Sequence, residues 1–167
     1  MIPASRQRNY LQSGLYVIVV GILAAVLLER LLTYAEAAEK AAMEATLSRL
    51  HAALYTRAAY LAMSGKHEAI EAFATRSPFV SGAMNAPNYA GEFVGLPSTV
   101  EGGTWFFDRV RNELVYVPRL TRHLQADADD QALPRLRFRL EVLGTSRTAL
   151  TGISLRPVGR PHWDPVP

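Results

Sequence analysis

A chain of 167 residues with a formal charge of +3 has room for one folded domain beside any long helix. Its Arg and Lys are interspersed with Asp and Glu, which argues against the clustered basic face of a nucleic-acid binder. There is no cysteine, so disulfides and thiolate metal sites are excluded and stability must come from packing.

The first element is apolar. Leu15 to Leu28 (LYVIVVGILAAVLL) is uninterrupted by charge, and the uncharged window extends back to Asn9. That window reaches the roughly 20 residues a helix needs to cross about 30 Å of hydrocarbon. Arg6 and Arg8 precede it and favour a cytoplasmic N-terminus, with the remaining chain on the far side. Residues 1–8 thus read as a leader and 9–32 as a transmembrane segment. A cleavable signal peptide has a similar outline, and Ala35-Glu36-Ala37 offers a small-x-small site, but Glu29 and Arg30 set that site further from the apolar core than a signal peptidase tolerates. Gly21, Ala24 and Ala25 form a small-residue patch that permits close helix approach within a membrane.

Residues 33–63 contain no Gly or Pro and are rich in Ala, Glu, Leu and Arg, so the helix is expected to continue as one rod to about Met63. Met43, Leu47, Leu50, Leu54 and Leu61, with Ala58 between the last two, fall at three- and four-residue steps and form a stripe that something must cover. Glu36 and Lys40 stand four apart, as on solvated helical surface. Ser64-Gly65 ends the rod, and residues 66–75 suggest a short helix before Ser77-Pro78. From Phe79 to Gly103 the mixture of Pro87, Pro97, Asn85, Asn88, Gly and Ser predicts a long ordered connection.

The period then changes to two, which defines a sheet over 104–158. Thr104 to Asp108 and Glu113 to Val117 read as a β-hairpin joined by Arg109-Val110-Arg111-Asn112. Leu136, Phe138, Leu140 and Val142 alternate with Arg135, Arg137, Arg139 and Glu141, giving a strand with one wet face. After a turn at Gly144 to Arg147, Thr148 to Arg156 supplies another alternating strand, with Ala149, Thr151, Ile153 and Leu155 on one face. The expected fold is α+β: a long N-terminal helix, its second half packed on a roughly four-stranded antiparallel sheet, followed by a Pro-rich tail at 159–167. Trp105, Phe106 and Phe107 cannot all face inward, and folding of the 79–103 connection over the outward ring is favoured over an exposed docking surface. Trp105 and Trp163 are the candidate contact aromatics; the tail can lie against the sheet or present Trp163 to a partner.

Catalytic chemistry has no candidate constellation: there is no Gly-x-Ser-x-Gly elbow, phosphate loop or paired-carboxylate motif. His51, His67, His123 and His162 lack metal-ligand spacing and read as ordinary surface or packing histidines. Asp127, Asp129 and Asp130 place three carboxylates in one loop, the oxygen-rich set calcium needs, but without the EF-hand spacing or its Gly, so a solvated acidic turn is favoured and no cofactor is expected.

These residues resemble a known architecture. Gly21-Ile22-Leu23-Ala24-Ala25-Val26 stands as in the hydrophobic segment of type IV pilins and type II secretion pseudopilins. Ala35 to Leu54 is similar to the Ala/Glu-rich half of that family's long helix, and Gly103 to Arg119 (GTWFFDRVRNELVYVPR) resembles the first hairpin of its sheet. The resemblance implies a non-enzymatic structural subunit of a bacterial inner membrane, single-pass, with a periplasmic domain. Its partners would be other pilin-like subunits or secretion-system components, and calcium would have a precedent in the sheet-region loop of some major pseudopilins. The chain departs from the family at the prepilin peptidase site. Aligned on Gly21, the places of the family's Gly, aromatic and fifth-position Glu hold Gln7, Arg8 and Gln12. With Gly14 at the cleavage site instead, Leu15 becomes the first mature residue and Val19 the fifth. Gln12 can hydrogen-bond but not pair ionically, which is compatible with a simple anchored subunit outside the filament core. The competing reading from another class is a membrane-tethered binding or sensing domain.

Overall fold

In the computed structural model, residues 4–66, 69, 76–79, 86, 88–97, 99–125, 134–143 and 152–165 are described. A single helix, α1 (Ala4–Met63), runs for 60 residues, about 90 Å at 1.5 Å per residue. It includes Ala4 to Arg8, which the charge pattern had set apart as a leader, because nothing between them and the apolar run breaks a helix. It stops at Ser64-Gly65, where Gly65 takes a positive φ of 70° and Lys66 N–H returns to the carbonyl of Leu61.

Among the described residues seven strands follow: β1 (Tyr89–Phe93), β2 (Thr104–Asp108), β3 (Glu113–Val117), β4 (Leu124–Gln125), β5 (Leu136–Leu143), β6 (Gly152–Val158) and β7 (His162–Trp163). Five form one mixed sheet in the order β1-β2-β3-β5-β6; β4 and β7 form a separate two-stranded sheet. Strands β2, β3, β5 and β6 are the antiparallel meander expected from the alternation. The four-strand, all-antiparallel expectation is corrected by β1, which pairs parallel to β2 from inside the segment read as a connection. Its sequence, YAGEF, lacks apolar alternation, and the flanking Pro and Asn residues signal loop, so a partner strand and not its own composition makes it a strand. The register of β1 shifts between Tyr89 and Glu92, a bulge at which Gly91 takes a φ of 111°. The bulge turns Tyr89 toward the helix side and Phe93 toward the opposite face.

The main core lies between α1 and the sheet. Met43, Leu50, Leu54, Ala58 and Leu61 are buried there against Trp105, Phe107, Leu114, Tyr116, Leu136, Phe138, Leu140 and Ile153, with Leu47 partly buried beside them. A second, smaller core covers the other face of the hairpin: Phe106 is fully buried with Val115 and Val117 beneath Phe93 and Val100. The 79–103 connection therefore does fold over the outward ring, as expected. The face of β5 expected to be wet is so only in part: Arg135 just before the strand is buried and Arg137 is 14% exposed, because Arg137 and the more exposed Arg139 flank the buried Glu113 carboxylate at 3.7 and 2.6 Å. The hairpin loop is closed by Asp108, whose Oδ1 accepts from Val110 N–H at 2.9 Å, and by Asn112 at a φ of 53°. The expected short helix at 66–75 (apart from Lys66 and Ala69), the turn at Gly144 to Arg147 and the first residues of the last expected strand lie outside the described residues.

Candidate functional site

Two features of α1 stand out from an ordinary helix-on-sheet packing. The first is its N-terminal half. A stretch beginning at Ser13 is long and apolar enough to cross a membrane, with a mean hydropathy of 2.4 over an 18-residue window of which none is buried. Leu15, Val17, Ile18, Leu23 and Leu27 are each about three-fifths exposed or more. Gly21, Ala24 and Ala25 share one exposed face of this stretch, and a Cβ added at Gly21 would meet nothing within 4 Å. A folded domain in water rarely leaves so continuous an apolar surface uncovered.

The second feature is a polar latch where the packed half of the helix begins. Glu36, read from its spacing as solvated surface, is 1% exposed. Its Oε1 accepts from His123 N–H at 3.0 Å and from the Trp163 indole N–H at 2.9 Å, and its Oε2 lies 2.7 Å from His123 Nδ1. One turn on, Glu39 Oε1 accepts from the Tyr116 hydroxyl at 2.9 Å and Arg119 N–H at 2.7 Å, while Oε2 accepts from Leu120 N–H at 3.1 Å. Burial raises the Glu36 pKa, but the His123 backbone and ring and the Trp163 indole outweigh it and hold the carboxyl below its ordinary value. Tyr116 is pushed up, first by burial and then by its bond to the Glu39 carboxylate, so it stays a donor. Lys40 turns away from the expected partner, Glu36, and pairs with Asp164 at 2.8 Å, which lowers the Asp164 pKa. Arg122 reaches back to Glu29 at 3.1 Å. Helix carboxylates thus hold both the β3–β4 turn and the C-terminal β7 segment.

Gly102 and Gly103 make room for this turn. A Cβ on Gly102 would fall 2.8 Å from the Arg119 Cα, and Gly103 adopts a φ of 81° with the Arg119 guanidinium over it. Arg119 Nε donates to the Gly102 carbonyl at 2.9 Å. Between Ala35, Ala38 and Ala42 on the helix and Asn88, Gly103 and Arg119 opposite lies a groove of about 570 Å³. Its ionisable groups, Glu39, Tyr116 and Arg119, are committed to one another or to backbone, so the groove presents no nucleophile with a base beside it.

The structure gathers some of the sequence candidates and disperses others. The stripe of Met43, Leu47, Leu50, Leu54 and Leu61 faces the sheet. Trp105 is 1% and Trp163 5% exposed, so neither candidate contact aromatic is at the surface; Trp163 lies against the helix because Glu36 receives its indole. Among the described residues, no group of His, Asp and Glu could hold a metal ion. Asp127, Asp129 and Asp130 lie outside the described residues, as does His67. His51 is exposed, His162 sits 3.6 Å from Asp164, and His123 belongs to the latch. Glu36, Glu39 and His123 were missed as a set because their partners lie 77 to 127 positions away in the chain; the available signal was that Glu36 and Glu39 stand seven and four residues before Met43, which puts both carboxylates in line with the buried stripe.

No protein-family model, curated protein or solved structure matches this chain.

Proposed function

We propose that this protein is a membrane-anchored, pilin-like structural or assembly subunit of a type II secretion or type IV pilus-like system. One observation carries the reading: a single unbroken helix is bare and apolar through its first half and packed on a sheet through its second. That division supports a single-pass anchor whose rod delivers a folded domain directly to the bilayer surface. Arg6 and Arg8 ahead of the span support an N-terminus in the cytoplasm and a domain in the periplasm of a bacterial inner membrane. The exposed Gly21, Ala24 and Ala25 face would then pack against other membrane helices, where small residues let backbones approach.

Intact mass and N-terminal sequence of the protein extracted from native membranes test the anchor. A chain starting near Met1 is expected, and one starting at Leu15 with a methylated amine would place the subunit in a filament; a start at Ala38 overturns the reading, because the span would be only a signal peptide. Packing is tested by Ala24→Cys in the otherwise cysteine-free chain. Oxidative crosslinks to a second copy or to another single-span apolar subunit are expected in native membranes, and a product that stays wholly monomeric counts against a subunit role.

A further inference from the structure

The latch fixes how high the folded domain stands above the membrane. We infer that the β3–β4 turn stands at the outer edge of the anionic headgroup layer of the bilayer and lowers the Arg122 side chain into it, so that Arg122 and Arg30 meet lipid phosphates and the domain is seated on the membrane. This inference rests on the anchored reading above.

The uncharged window of the helix ends at Leu28, and Glu29 is the first charged residue after it. A span of about 20 residues covers the hydrocarbon at 1.5 Å per residue, so Glu29 marks its edge, and headgroups occupy roughly the next 5 to 7 Å. Arg122 Nη2 lies 3.1 Å from Glu29 Oε1 and is therefore at the same level. Both side chains are more than half exposed, and an exposed ion pair in water is worth too little to hold a turn in place. The turn is held by other bonds: His123 N–H on Glu36, and Arg119 and Leu120 N–H on Glu39, all directed at helix carboxylates two to three turns above Glu29. Arg122 is therefore brought to the membrane edge by its neighbours' backbone. There it neutralises Glu29, which leaves Arg30, on the same turn and exposed, as net positive charge at the level of the phosphates. Leu31, Leu32 and Tyr34, all exposed, extend the amphipathic surface just beyond. An anionic lipid headgroup is the chemistry that suits this combination of guanidinium groups and an apolar rim.

The absence of cysteine permits a direct test in the full chain. Thr121→Cys, Val110→Cys and Val20→Cys are each labelled with an environment-sensitive fluorophore and reconstituted in phosphatidylcholine vesicles containing phosphatidylglycerol. Spin-labelled lipids then quench at headgroup or at chain depth. Val110, in the hairpin loop at the opposite end of β3, serves as the distal reference. The expected result is strong headgroup-depth quenching at position 121, little at 110, and chain-depth quenching at 20. Arg122→Glu in the Thr121→Cys background is expected to keep the headgroup-depth quenching at 121, because the latch sets the height, but to lose most of the excess quenching by spin-labelled phosphatidylglycerol over spin-labelled phosphatidylcholine, while circular dichroism stays unchanged, since Arg122 is exposed. If position 20 is quenched but 121 no more than 110, the domain stands clear of the bilayer and the inference fails while the anchor survives. If position 20 is not quenched, the anchor reading itself fails. An unchanged preference for phosphatidylglycerol in the Arg122→Glu variant overturns the phosphate contact.

Discussion

Glu36 is the residue on which the polar architecture turns. A carboxylate that is 1% exposed is tolerated because donors surround it, and removing it would strand the Trp163 indole and the His123 N–H in a buried place. Glu36→Ala should therefore cost about 3 kcal/mol, read as the denaturant midpoint of the folded domain, whereas Glu36→Gln, which keeps an acceptor, should cost about half as much. The pH dependence has a definite sign. The folded pKa of Glu36 lies below its ordinary value of 4.5, so its contribution is complete above that pH and is lost as pH falls through the lower folded value. Thermal melts should show the native chain losing stability below about pH 4.5, with Glu36→Gln showing a smaller loss. At Gly103 the constraint is steric: a φ of 81° beneath the Arg119 guanidinium leaves no place for a Cβ, so Gly103→Ala should destabilise by at least about 1 kcal/mol.

At the scale of elements, the helix stripe and the hairpin are the two surfaces that meet. Leu50 and Leu54 are fully buried at the centre of that meeting, and Leu50→Ala should cost about 2 to 5 kcal/mol in a melt of the domain. The helix also contributes through its latch turn. A fragment beginning at Thr33 keeps Glu36, Glu39 and Lys40, while one beginning at Ala41 keeps the apolar stripe but loses all three. The first should melt cooperatively and the second should melt well below it, separating polar latching from apolar packing; equal midpoints would show that the latch adds nothing. The elements were unequally readable. Strand β5 follows from alternation of apolar with charged residues, and β2 and β3 follow from two short aromatic and β-branched runs separated by a four-residue loop, patterns that local chemistry imposes. Strand β1 and the β4–β7 pair carry no such pattern. They are two to five residues long, and β4 and β7 pair across nearly forty positions of chain, Leu124 with Trp163.

At the scale of the whole molecule, one helix links an apolar exposed half to a packed half, and the transition between them is crossed by Arg122 on Glu29. If the span resides in a bilayer, the protein should stay in the membrane pellet after alkaline carbonate and enter solution only with detergent; release by carbonate would show that the apolar half is covered by protein instead. The apolar run, the continuity of the rod, the stripe at 43, 47, 50, 54 and 61, and the hairpin were determined by sequence, because each depends on periodicity or composition within a few turns or strands of chain. Only the tertiary structure decided that Glu36 is buried and Trp163 inside, that a parallel strand closes the edge of the sheet, and that the β3–β4 turn sits against the start of the packed helix. The physical reason is the same in each case: a carboxylate or a short polar strand has no inherent preference for burial, and its place is chosen by donors and partner strands brought from far along the chain.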